Sequence, residues 1–345
     1  MGVTVVVGGQ FGSEGKGKVA QYLAATNGAV AAIRVGGSNS GHTGFRGNGE
    51  LEVLRQLPTA ALLPDVACVI GPGSYVDVSI LLDEIERTRI SSDRLIIDES
   101  AFVITADDIE AEARSGLQRT IGSTGSGTGE AVRRRVDRNF GALQVRDVPE
   151  LGEFSAETAT VVRSMLERGE SIVVEGTQGF GLSLLHSPYY PYVTSRDTSA
   201  AGAVAEAGLS PLDVDQVVVV LRALPIRVGG NSGPLPNEID WETAAKEAGA
   251  AYSLEEFTSV TGRLRRVARF DPEIVRRAIE ANAPSLIVLN HLDQIDAATR
   301  DAAGLTDRAR TFVEGVEAAI GNSIGLTGVG PSTFIERPAN AARAA

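Results

Sequence analysis

The sequence predicts an α/β protein built on a largely parallel central sheet with flanking helices. Apolar segments rich in β-branched residues alternate along the chain with segments of helical character. The strand segments read as continuous apolar runs, as expected for strands covered on both faces by helices. The first run, Val5-Val6-Val7, breaks into a glycine-rich turn.

Taken in order, strands are expected over 3–8, 29–35, 67–71, 94–97, 171–175, 216–222 and 285–290. Helices are expected from about Lys16 and over 77–87, 155–168, 272–281 and 306–320. No internal repeat or low-complexity linker divides the chain, so residues 1–337 are expected to form one domain. The alanine-rich segment 338–345 has little to pack and is expected to fray.

At 345 residues the chain can bury a large core. It has 43% hydrophobic residues but no unbroken apolar run long enough to span a membrane. No basic leader or cleavage signal opens it, so a cytoplasmic location is expected. The single cysteine, Cys68, excludes an internal disulfide framework and reads as core rather than nucleophile. A net charge of −12 argues against a general nucleic-acid surface, so anion sites must be local.

The most informative stretch runs from Val3 to Lys18. Glycines allow the backbone to turn its N–H groups toward a ligand, and a helix N-terminus adds partial positive charge. This is a phosphate-holding loop, with Lys16 and Lys18 beside it. The Walker spacing fails, because Gln10 stands where its first glycine belongs and Gly17 follows the lysine. A dinucleotide reading fits Gly15 to Ala20 but lacks the acidic residue about 20 positions on, since none occurs between Glu14 and Glu50.

Five further segments look chemical. In Arg34 to Thr43, glycines and small polar residues surround His42, a candidate general acid or cation toward a phosphoryl group. The glycine-rich loop 121–129 runs into Arg133, Arg134, Arg135 and Arg138 and suits a second phosphate. Gln178 and Thr194 offer an amide and a hydroxyl for a base edge and a phosphate. The arginines of 258–266 can grip a small dicarboxylate by bidentate pairing, or form a solvated basic face. Finally, an apolar strand ends at Asn290 and Asp293, placing a carboxylate at the sheet edge where it can read guanine or simply cap a helix.

Together these segments resemble the adenylosuccinate synthetase family from Val5 to about Pro331. The first loop is similar to that family's G-x-Q-W-G-D-E-G-K-G-K, with Phe11 for tryptophan. Asn39-Ser-Gly-His-Thr43 resembles N-A-G-H-T, and the loop 122–129 resembles G-T-T-G-R-G-I-G. Glu175 to Gln178 resembles E-G-A-Q, Tyr192 to Ser195 matches Y-V-T-S, and Thr261 to Arg266 resembles T-G-R-R-R-R. Gly328 to Pro331 is similar to the family's nucleotide-binding tail.

The resemblance implies a P-loop-related fold, a homodimer, and a ligase that phosphorylates the 6-oxygen of a purine monophosphate and displaces that phosphate with aspartate's amine. It implies Mg²⁺ and a nucleoside triphosphate. By position, Ser13, Lys16 and His42 are the expected catalytic residues. Gly12, Ser13, Glu14, Gly15, Lys16, Gly17 and Lys18 are expected around the triphosphate, with Gly41, His42, Thr43, Asn290, Asp293, Gly328, Gly330 and Pro331. Ser13, Asn39, Ser123, Thr124, Gln178 and Thr194 are expected on the monophosphate, with Arg138 from a second subunit. Thr261, Gly262, Arg263 and Arg265 are expected on aspartate, and Ser13 and Gly41 on magnesium.

Three departures from the family pattern matter. Ser13 stands where the family has an aspartate that takes the purine N1 proton and binds magnesium. A neutral serine is a poor base, yet its smaller side chain leaves room for a substituent at C2, where guanine carries its amino group. That resembles a branch encoded by phages whose DNA contains 2-aminoadenine, which joins dGMP to aspartate. Glu14, or water relayed through Ser13, is the expected source of base activation. Ser126 replaces a usual arginine, and His291 a lysine beside the donor base. The branch implies ATP or dATP as donor, whereas Asp293 alone suits GTP. The alternatives are an ordinary synthetase using IMP and GTP, and a guanine-nucleotide-binding regulatory protein.

Overall fold

A computed structural model of the chain describes residues 2–138, 141–258 and 262–337. Ten strands form its main sheet: β1 (Val3–Gly8), β2 (Ala31–Arg34), β3 (Ala67–Ile70), β4 (Leu95–Asp98), β5 (Ser155–Ala156), β6 (Ile172–Glu175), β7 (Val214–Arg222), β8 (Leu286–Asn290), β9 (Leu326–Val329) and β10 (Thr333–Glu336). Their spatial order is β10-β9-β8-β7-β1-β6-β2-β3-β4-β5. Every neighbouring pair is parallel except β9 with β10.

Both faces of the central strands are buried, which is why they read as unbroken apolar runs. Val5, Val7, Val174, Val219 and Leu221 pack into the core on one side. Val6, Val173, Val218 and Val220 pack on the other, against Val19 and Leu23 of helix α1 (Lys16–Thr26). Cys68 lies fully buried in β3, where burial pushes its thiol up to about 12.

Parallel pairing aligns the carboxyl ends of the strands, so chemistry collects at one edge. Register places Glu175 of β6 beside Arg34 of β2, and Arg222 of β7 beside Asn290 of β8. The turn after β1 enters α1 through Gly15, at φ 87°, with no side chain capping the helix. Its first N–H groups therefore remain available to an anion.

All seven expected strands belong to this sheet, within two residues at their ends. The expected helix 155–168 is corrected: Ser155–Ala156 pairs at the sheet edge, and the helix runs Thr158–Glu167. Asp98 decides this by accepting the Thr158 amide at 3.2 Å and hydroxyl at 2.6 Å, which holds the chain extended beforehand. The expected tail 338–345 lies outside the described residues.

Three pieces without a clear apolar period complete the frame of the site. A hairpin, His42–Phe45 with Leu51–Leu54, carries His42 over the start of α1. Gly17 permits this approach, because a Cβ there would meet His42 Cβ at 2.9 Å. Helices Ala106–Ser115 and Thr128–Val136 flank the glycine loop 122–127. A small antiparallel sheet of Ile226–Arg227, Glu238–Ile239 and Arg266–Ala268 positions the arginine segment, fastened where Trp241 Nε1 donates to the Arg265 carbonyl at 2.7 Å. Among the described residues, no helix is long and apolar enough to cross a membrane.

Candidate active site

One cavity of about 850 Å³ opens along the carboxyl edge of the sheet. It gathers residues from every motif singled out in the sequence. Gly12, Ser13, Gly15, Lys16, Gly17 and Lys18 line it, as do Asn39, Gly41, His42 and Thr43. Ser123, Thr124, Gln178 and Thr194 form another part of its wall, and Arg263, Arg265, Asp293, Gly330 and Pro331 complete it.

Other expected contacts lie elsewhere. Glu14 is fully buried and does not line the cavity. Its Oε1 accepts the Gln10 and Gly12 amides at 3.1 and 2.8 Å, and its Oε2 accepts Lys16 Nζ at 2.7 Å. Glu14 thus shapes the phosphate loop from below, which corrects its expected service as a base or direct triphosphate contact. Lys16 keeps two of its three ammonium protons for a ligand.

Asn290 is also fully buried and off the cavity wall. Its amide donates to the Glu14 carbonyl at 2.7 Å, tying β8 to the loop, so it anchors rather than reads a base. Gly328 lies behind Asn290, where a Cβ would strike its Oδ1, and does not reach the cavity. Gly262 and Arg138 are likewise off this chain's cavity wall, and Thr261 falls outside the described residues.

His42 is organised by groups the sequence reading did not assign. Its Nδ1 lies 2.6 Å from Glu175 Oε1, which also accepts Arg34 Nη1 at 2.5 Å. Glu175 Oε2 accepts the Thr59 amide and hydroxyl at 2.9 and 2.7 Å. Burial works against the Glu175 charge, but the His42 hydrogen bond and the Arg34 charge hold it down to about 2. Burial and then Arg34 push the His42 imidazolium down to about 3. The expected cation is therefore corrected to a neutral imidazole, with Nδ1 held between Glu175 Oε1 and Arg34 Nη1.

Ser13 occupies the left-handed region at φ 59°. Arg265 Nη1 donates to its hydroxyl at 2.7 Å, and Arg222 Nη1 donates to its carbonyl at 2.9 Å. Arg222 is itself fully buried, paired with Glu256 at 2.5 Å and with Gln294 Oε1 at 3.0 Å. Arg222 was legible in principle, since it ends an apolar strand as Asn290 does.

On the second phosphate loop, Glu112 Oε2 accepts the Gly127 amide at 2.5 Å, and Glu112 Oε1 accepts the Ser123 hydroxyl. Ser123 thereby braces the loop as well as lining the wall beside Thr124. At the far end, Asp293 Oδ1 accepts the Gly330 amide at 3.1 Å, and Lys18 Nζ donates to the Gly330 carbonyl at 3.2 Å. Burial lowers Lys18 to about 8, with Asp293 opposing that shift. Burial, then Arg222 and Lys18, keep His291 well below its ordinary value, so it brings no charge to replace a lysine.

Magnesium prefers oxygen ligands and commonly keeps water and phosphate oxygens among them. Gly41, on the wall beside His42 and Lys16, fits that role. Ser13 does not, because its oxygen already faces a guanidinium. No group of three or more His, Cys, Asp or Glu side chains suited to a metal occurs among the described residues.

Comparison with known proteins agrees with this geometry. The family model described as adenylosuccinate synthetase matches residues 5–156 and 144–300. The adenylosuccinate synthetase of Pyrococcus sp. (strain ST700) is 38% identical over 337 residues, covering 95% of each chain. That of Archaeoglobus fulgidus is 36% identical over 336 residues, covering 96% of each. Among solved structures, the succinoaminodeoxyadenylate synthetase (PurZ) of cyanophage S-2L, bound to dGMP and dATP, superposes with a TM-score of 0.81 at 30% identity. That match covers 98% of this chain and 95% of the other. Fully ligated adenylosuccinate synthetase from Plasmodium falciparum shares the fold, with a TM-score of 0.86 at 19% identity, over 98% of this chain and 100% of the other.

Proposed function

From the premise that the chain belongs to the adenylosuccinate synthetase family, and is therefore a C–N bond-forming ligase, we propose that it joins L-aspartate to dGMP. The product is 2-amino-2′-deoxy-N6-succinyladenylate, with a nucleoside triphosphate converted to its diphosphate and phosphate. The observation that carries this reading is Ser13. A short, neutral side chain stands in the cavity where the family's aspartate is expected, and its hydroxyl is drawn toward Arg265 at 2.7 Å. That leaves space and no negative charge beside the purine's C2 edge. The phage relative solved with dGMP supports the same reading.

In this reading the triphosphate lies on the loop Gly12 to Lys18, against the free N–H groups of α1. Asn39, Thr124, Gln178 and Thr194 hold the monophosphate, and Arg138 completes that site from the second subunit of a homodimer. Arg263 and Arg265, with Thr261 and Gly262, hold the aspartate carboxylates. His42, oriented by Glu175, meets the phosphoryl group being transferred to the 6-oxygen. Bound with Gly41 and the phosphates, Mg²⁺ supplies charge neutralisation to that transfer. One oxygen of Asp293 accepts the Gly330 amide, and the carboxylate keeps lone pairs for the donor base. The phage relative solved with dATP as its energy donor supports ATP or dATP.

Phosphate release tests the proposal, with Mg²⁺, aspartate, and ATP or GTP, and with dGMP or IMP as acceptor. Turnover with dGMP and little with IMP is expected. Preferential turnover with IMP makes the chain an ordinary adenylosuccinate synthetase, the reading that the archaeal relatives' names favour.

A further inference from the structure

Replacing an acid by a serine removes the family's base, but it also leaves one of the two cations at this position, Arg265, without a counter-charge of its own. Arg222 meets the Ser13 carbonyl from beneath, and Arg265 meets its hydroxyl from the side. Glu256 is committed to Arg222 and to Gln294 Nε2 at 2.7 Å. Glu14 is committed to Lys16 and the loop amides. Burial holds Arg265 below its ordinary value; Glu256 and Glu14 favour its charge and Arg222 opposes it. Lys18 and His291 also feel the charges of Arg222 and Glu256. Among the described residues Arg265 forms no salt bridge of its own.

A hydroxyl has one proton and two lone pairs. With a guanidinium donating to its oxygen, Ser13 has its own proton free for the substrate, and its neutral hydroxyl is a poor base. We infer that Ser13 and Arg265 activate the purine by stabilising its anion rather than by abstracting its proton. The inference rests on the proposed site, with Ser13 as the catalytic residue and Arg265 as a positioning residue behind it. The N1 proton leaves to water. The negative charge, shared between N1 and the 6-oxygen, is met by the Ser13 O–H and the positive field of Arg265. The 6-oxygen then attacks the γ-phosphorus, the bond from that phosphorus to the β-phosphate oxygen breaks, and the diphosphate leaves. Donors fixed in advance toward a developing anion act without reorganisation, which is where such groups are most effective. A nearby cation favours ionisation of the group it faces.

The test isolates phosphoryl transfer from Arg265's expected contact with aspartate. Scrambling of a heavy-oxygen label between the bridging and non-bridging positions of ATP is followed with Mg²⁺ and dGMP or IMP, without aspartate. The scrambling rate is expected to rise with pH along an alkaline limb. Arg265→Gln and Ser13→Ala should each move that limb to higher pH, with a loss of about tenfold below it for each unit moved. Arg265→Lys, which keeps the charge, should hold most of the rate, and Ser13→Asp should replace the limb with one in the carboxylate range. Melting curves show whether each variant is folded. The inference is overturned if Arg265→Gln leaves the limb in place and alters only the aspartate KM. It is equally overturned if the limb lies below neutrality and vanishes in His42→Asn. Which monophosphate supports scrambling reports separately on the proposed substrate, because both bases carry an N1–H.

Discussion

His42 Nδ1 lies 2.6 Å from Glu175 Oε1, although the two residues are 133 positions apart in the chain. Glu175 serves three partners at once, since Arg34 and Thr59 also donate to it. The carboxylate therefore fixes the direction of the histidine that faces the cavity. Glu175→Gln should lower kcat by about a hundredfold, the lower range for a mispositioned acid–base group. It should also destabilise the protein by about 3–5 kcal/mol, because Arg34 loses its buried partner. Thr59→Val, which keeps the ion pair, should cost much less on both measures, read by steady-state kinetics and thermal melting.

Ser13→Asp should invert the choice of monophosphate in favour of IMP. The substitution is tolerable locally, because Ser13 already sits at φ 59° and aspartate accepts the left-handed region more readily than most residues. The new carboxylate pairs with Arg265 and crowds the 2-amino group. The ratio of kcat/KM for dGMP and IMP measures this, and an unchanged ratio rejects the steric account of substrate choice.

Lys18 should give triphosphate binding an alkaline limb. Its folded value is lowered, to about 8, from an ordinary 10.5. The free protein thus loses this charge as pH rises through about 8, and affinity for the triphosphate should fall over the same interval. Between about 8 and 10.5 the unfolded chain binds the proton more than the folded one, so this group's contribution to stability rises with pH there. Lys18→Arg should remove the limb in a titration of ATP affinity against pH.

Asn290→Ala should loosen the phosphate loop without touching the ligand. The loss of a buried donor to the Glu14 carbonyl costs about 1–3 kcal/mol. The expected signature is a higher KM for the triphosphate with an unchanged KM for aspartate. A equal rise in both would place Asn290 outside the loop's support.

Arg138 offers a test of the dimer. Arg138→Ala and Gln178→Ala should each be weak alone, because each removes one contact to the monophosphate. Mixed and allowed to exchange subunits, they should recover activity, since half the mixed sites carry both intact residues. No recovery on mixing rejects the partner-borne role of Arg138.

Much of the scaffold was legible because buried parallel strands must be apolar along their whole length. The runs at 3–8, 171–175 and 216–222 could hardly be anything else. The hairpin bearing His42 was not legible, because its Thr43, Gly44 and Phe45 show no period and its pairing depends on Gln21 of α1, which bonds Phe45 at 2.7 and 2.8 Å. The edge pair Ser155–Ala156 is too short to leave a pattern, and only its position beside Asp98 makes it a strand.

The site divides along the same line. By itself the sequence determined which residue types meet a phosphate, a dicarboxylate and a purine, because glycine spacing, clustered arginines and the serine at position 13 are local and chemical. Tertiary structure alone decided which of them face the cavity. Glu14 and Asn290 lie in matched motifs yet turn inward to brace the loop, while Arg222, Glu175 and Glu112 arrive from distant elements to set its charges. The reason is physical: a buried polar group must find a partner, and the partner available depends on which strand ends the parallel sheet brings side by side.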